Sequence, residues 1–164
     1  MVDAKLWAAA AISWVLVAGL ALANVLMWAP WSNKDNTPAV RDQLLSTVKQ
    51  STATVLTYDY RSWDKYIADA EPLMTGQFKV DYHKAMVGSL KSTAQTTHTI
   101  SVVKVDNAGL IAINDKGTQA TVMVYAQRTV TNTANPDPRI DVFGLRVVAD
   151  KSGSKWLLSK LDYL

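Results

Sequence analysis

Hydrophobic and polar positions fall into three regimes along the chain. Residues 6–29 (LWAAAAISWVLVAGLALANVLMWA) are an unbroken run of 24 residues without a charged side chain. As an α-helix rising about 1.5 Å per residue the run is roughly 36 Å long, enough to cross a hydrocarbon core about 30 Å thick with some tilt. A helix satisfies its own backbone hydrogen bonds, which lipid requires. Trp7 at one end and Trp28 and Trp31 at the other suit the two headgroup layers as interface anchors, and Pro30 stops the helix. The rival reading is a cleaved signal peptide with Ala21-Leu22-Ala23 as its small-residue site. The run stays apolar past that site through Val25, Leu26, Met27 and Trp28, which favours an uncleaved anchor.

From Thr37 the pattern changes to helical steps. Thr37 as cap and Pro38 in the first turn open a helix. Val40, Leu44, Val48, Thr52, Val55 and Leu56 follow at steps of about three and four, predicting a helix over 38 to about 60. A second helix is predicted over SWDKYIADAEPL, residues 62–73, with Pro72 and Gly76 marking a break. A third runs over about 75–94, with Phe78, Tyr82, Met86 and Leu90 four residues apart. From Thr97 the alternation becomes β-like: strands at 97–104 and 109–113 around a break at Asp106-Asn107, then 118–131, 139–149 and 155–161. Along 118–131, Val122, Val124 and Ala126 share one face, and Met123, Tyr125 and Gln127 the other. Helices followed by a meander of about four strands predict an α+β fold, with about three helices on one face of a curved antiparallel sheet. The expected organisation is a short cytoplasmic tail (1–5), a transmembrane helix (6–29), a linker (30–37) and one external domain (38–164). Charge alone does not establish this topology, because Lys34, Arg41 and Lys49 follow the run.

Composition narrows the chemistry. There is no cysteine, which excludes disulfides, thiol catalysis and thiolate metal sites. The net charge is +3, and 16 of the Lys/Arg and 13 of the Asp/Glu residues follow Trp31, so the excess belongs to the domain. The cations are scattered singly rather than clustered, so no nucleic-acid partner is expected, while membrane lipids are. His83 has Lys79 and Val87 at helical spacing, neither of which ligates, and His98 opens the strand region. No metal or other cofactor is expected. Asp59, Asp64, Asp69, Glu71 and Asp81 crowd the second helix. Asp59 beside a tyrosine could serve acid–base chemistry in a deep pocket. The plainer reading pairs Asp59 and Asp64 with Arg61 and Lys65, and no catalytic residue is assigned. Gly76 reads as a tight turn between helices that a β-carbon would obstruct. Trp63, Phe78 and Tyr82 read as core, with a hydrophobic mouth for an acyl chain as the alternative.

Tyr58-Asp59-Tyr60, Asp64, Ala70, then Leu73-Met74-Thr75-Gly76-Gln77-Phe78 and Tyr82 resemble the signature of the Mce-associated membrane proteins of actinobacteria. The resemblance extends to the layout of the whole chain, down to Trp156-Leu157-Leu158 near its end. It implies an NTF2-like (cystatin-like) cone outside the cytoplasmic membrane. It also implies a non-enzymatic accessory subunit that docks on and stabilises an Mce-type lipid-import complex, with the permease and Mce proteins as partners. Two alternatives remain in view: a VirB8-like secretion-channel component, which shares anchor and cone, and a membrane-tethered domain that binds or modifies lipid. Within the anchor, Gly19 and Ala23 are small and four apart, with Ser13 further back and Asn24 polar at membrane depth; these are the expected contacts with a partner helix.

Overall fold

In the computed structural model, which describes residues 38–164, the periodic apolar positions of the first helix become one buried stripe. Helix α1 (Pro38–Leu56) buries Leu44, Val48, Ser51, Thr52 and Val55. It ends at Leu56 rather than near residue 60. Tyr58–Asp59 instead forms a two-residue strand, β1. The side chain of Asp59 accepts the N–H of Arg61 and so starts a single 3-10 turn, Tyr60–Ser62. Helix α2 (Trp63–Ala70) follows and gives way to a second 3-10 turn, Glu71–Leu73, with Pro72 in its first positions.

The third predicted helix is longer than expected and is interrupted. It comprises α3 (Gly76–Ala85), a π turn at Met86–Leu90 where the backbone kinks at Gly88, and α4 (Lys91–Thr97). Threonines near its end suggest strand by β-branching. Here the hydroxyls of Thr93, Thr96 and Thr97 donate to the carbonyls four residues back, which keeps them helical. His98 closes the helix in the left-handed conformation at φ 51°.

Four longer strands follow: β2 (Ile100–Ile113), β3 (Gln119–Thr131), β4 (Arg139–Ser152) and β5 (Lys155–Tyr163). With β1 they make a five-stranded antiparallel meander, β1-β2-β3-β4-β5, one strand more than expected. Asp106-Asn107 is not a break. The register slips between Val105 and Asn107, and again between Leu110 and Ala112, so one strand continues through two bulges. Alternation on β3 is as predicted: Val122, Val124 and Ala126 are buried, and Tyr125 is exposed on the opposite face. Val122 and Val124 join Leu145, Val147 and Ala149 of β4 and Trp156 and Leu158 of β5 in a core that α1 covers, packing chiefly on β2 and also on β5. The outcome is an α+β domain with its helices on one face of the sheet. Among the described residues no helix is long and apolar enough to cross a membrane. The run 6–29, with Trp7, Ser13, Gly19, Ala23, Asn24 and Trp28, lies outside them, as does Trp31.

Candidate functional site

The motif residues come from two segments that an aromatic relay joins. Tyr58 on β1 packs against Trp63 and Tyr66 of α2, with ring centroids 5.4 and 6.0 Å apart. Tyr66 meets Tyr82 of α3 edge-on at 6.4 Å, and Tyr82 meets Phe78 at 6.2 Å. Tyr66 is the hub although it is not a motif residue. Its spacing, three residues after Trp63 and four before Ala70, marks the inward face of α2.

The hydroxyls of Tyr66 and Tyr82 bond to each other, and each reaches the carbonyl of Val55, at 2.8 and 2.9 Å. That carbonyl lies in the last turn of α1, where no helical N–H follows to satisfy it. Two phenolic protons thus serve three contacts. Burial pushes the Tyr66 phenol up to about 12 and raises that of Tyr82 further, so both remain protonated at neutral pH and clamp the helix end.

Beside the relay, the end of α1, β1, α2 and the start of β2 frame an open groove of about 540 Å³. Tyr58, Ile100 and Val102 give it apolar walls; Asp59, Lys65 and Asp69 give it charge. Those charges are compensated locally. Asp59 accepts the backbone N–H of Arg61 at 2.9 Å and its Nε–H at 2.9 Å, and the guanidinium holds the carboxyl below the usual carboxylate range. Lys65 pairs with Asp69 one helical turn away. Asp64 is paired with Lys91 of α4 rather than with Arg61 or Lys65. Asp59 is therefore a capping and ion-pairing group as the molecule is built, and among the described residues it makes no hydrogen bond to a tyrosine. Tyr60 stacks on His98 at 4.8 Å, and His83 is hydrogen-bonded to Glu71. Among the described residues no three potential metal ligands come together.

Thr75 and Gly76 fix the start of α3. The Thr75 N–H donates to the carbonyl of Leu158 at 2.9 Å, beside a parallel bridge between Met74 and Leu158, which ties the helix to β5. Gly76 has φ +61°, and a β-carbon there would meet nothing within 4 Å. Backbone conformation, not crowding, therefore calls for glycine, which corrects the steric reason expected from the sequence.

Helices on one face of an antiparallel meander, with the first long helix packed on β2, β3 and β5, give an NTF2-like fold. The sequence matches no known family and no curated protein. Solved structures share the fold. The periplasmic domain of DotI superposes with a TM-score of 0.63 at 8% identity, over 79% of this chain and 96% of that one. An IcmL-like type IV secretion system protein from Legionella pneumophila gives 0.59 at 16% identity, over 76% and 91%. VirB8 of Agrobacterium tumefaciens gives 0.57 at 8%, over 73% and 88%. The chain thus shares the fold of these domains.

Proposed function

We propose that this chain is a non-enzymatic scaffold subunit of a VirB8-like envelope-channel assembly. On this reading residues 6–29 hold it in the cytoplasmic membrane, and the described domain works outside as an interaction module. One observation carries the reading: the fold matches nearly the whole of the DotI periplasmic domain, with a TM-score of 0.63 over 96% of its length. Locally compensated charge in the groove and phenols held protonated by burial also suit a role in assembly.

The test is affinity purification of the full chain from its native membrane in mild detergent, followed by mass spectrometry. A secretion ATPase and channel proteins are expected to co-purify. Recovery of a permease with Mce proteins would replace this reading with the lipid-import accessory role that the motif residues suggest. Recovery of neither set would overturn the assembly role.

A further inference from the structure

Where the end of β3 meets the start of β4, two guanidinium groups share one carboxylate. Val122, Val124, Ala126 and Arg128 follow at steps of two along β3, so Arg128 occupies an inward position, in register with Val103 on β2 and Asp141 on β4. Its terminal nitrogen donates to Asp141 Oδ2 at 3.0 Å, and Arg139 donates to the same oxygen at 2.9 Å. Asp141 is held below the usual carboxylate range by Arg139 and Arg128, so it is ionised and supplies one negative charge against two positive ones. Among the described residues, two guanidinium groups thus face one carboxylate, a surplus of one positive charge. The Arg128 Nε is buried and has no hydrogen-bond partner among the described residues, so it reports on the cluster from within while an incoming anion meets the exposed part of the guanidinium.

The surroundings are aromatic. The Arg128 guanidinium lies 5.8 Å from the centroid of Phe143, and Phe143 packs against Tyr163 at 5.4 Å. Tyr163 is 57% exposed and Arg139 is 67% exposed at the side chain, so the cluster opens to solvent. Tyr58 lies within electrostatic reach of both Arg128 and Tyr163. A guanidinium presents its donors in a fixed fork that matches a planar, two-oxygen acceptor. The surplus is a single charge next to an ionised carboxylate, which suits a monoanion better than a phosphate dianion. The rings beside it offer apolar surface to whatever carries that anion.

We propose that Arg128, backed by Phe143 and flanked by Arg139, Tyr58 and Tyr163, receives a side-chain carboxylate from an acidic, partly apolar peptide segment of a protein partner. The proposal rests on local geometry and stands apart from the secretion-channel reading.

The test uses the full chain in zwitterionic detergent with arginine labelled by nitrogen-15. The Nε–H signal of Arg128 is identified by its loss in Arg128→Lys. Titration with N-acetyl-Phe-Glu-amide is expected to shift that signal saturably, with the glutamine analogue weaker by roughly fivefold or more because it lacks the charge. Arg139→Gln and Tyr163→Ala alter exposed side chains and leave the core intact, and each is expected to weaken the glutamate probe by roughly threefold. Equal responses to the glutamate and glutamine probes, no response to either, or unchanged affinity in both variants would overturn the proposal. Saturation by inorganic phosphate at lower concentration than the glutamate probe would overturn the carboxylate assignment.

Discussion

Two phenols meet one carbonyl at the end of α1, and this sets what their loss does. With Tyr82→Phe, Tyr66 still satisfies Val55, so the expected loss is one buried hydrogen bond, about 1 kcal/mol. Tyr66→Phe behaves alike, since Tyr82 remains. The double variant strands the Val55 carbonyl in the core, which adds an unsatisfied acceptor costing about 1–3 kcal/mol, so its destabilisation exceeds the sum of the single losses. Urea unfolding of the full chain in detergent, followed by the fluorescence of the buried Trp63 and Trp156, measures this; simple additivity would refute the shared-carbonyl account. The same phenols give stability a pH dependence. Their folded pKa values are raised, so the folded state holds protons that the unfolded chain releases first. The stabilisation is complete below the unfolded phenol value near pH 10 and is lost as pH rises through about 12 for Tyr66. The double phenylalanine variant should therefore show a flatter profile over that range.

At the scale of elements, Gly76 isolates a backbone effect. Open space surrounds its missing β-carbon, so Gly76→Ala costs only what the left-handed conformation costs a substituted residue, about 1–2 kcal/mol. Gly76→Asn should cost clearly less, because asparagine tolerates that region. A thermal melt of both variants decides it, and equal losses would mean that something other than φ is at work. Periodicity made long elements legible: the stripe of α1 and the alternation of β3 stand in the sequence as they stand in the fold. Elements no longer than one period were not legible. Two residues cannot display alternation, so β1 is defined only by its pairing with Ser101 and Ile100. Polar Asp106-Asn107 looks like an interruption, whereas a bulge lets polar residues stay within one strand. Of the candidate site, Tyr58, Asp59 and Tyr82 could be singled out by motif. The sharing of Asp141 between Arg128 and Arg139 joins two strands, and only the β3–β4 register reveals it.

At the scale of the whole molecule, the proposed assembly on a larger machine asks for tethering and for recognition, and the proposal assigns them to separate segments. On the proposed reading, recognition belongs to the described domain and tethering to residues 6–29. If the tether also docks laterally, Gly19 and Ala23 let a neighbouring helix approach closely, and Asn24 finds a hydrogen-bond partner there rather than in lipid. Gly19→Leu combined with Asn24→Leu makes the run more apolar, so membrane insertion should be preserved. It also removes the close approach and the polar contact, each worth about 1 kcal/mol in such pairs, so recovery of channel partners should fall by roughly tenfold. Carbonate extraction separates insertion from docking. A variant that stays in the membrane and still recovers its partners at the original yield would reduce the segment to a passive anchor and leave recognition to the domain alone. The Arg139→Gln and Tyr163→Ala variants then supply the complementary result: with the anchor unaltered, any drop in recovery comes from the sheet end where Arg128 sits.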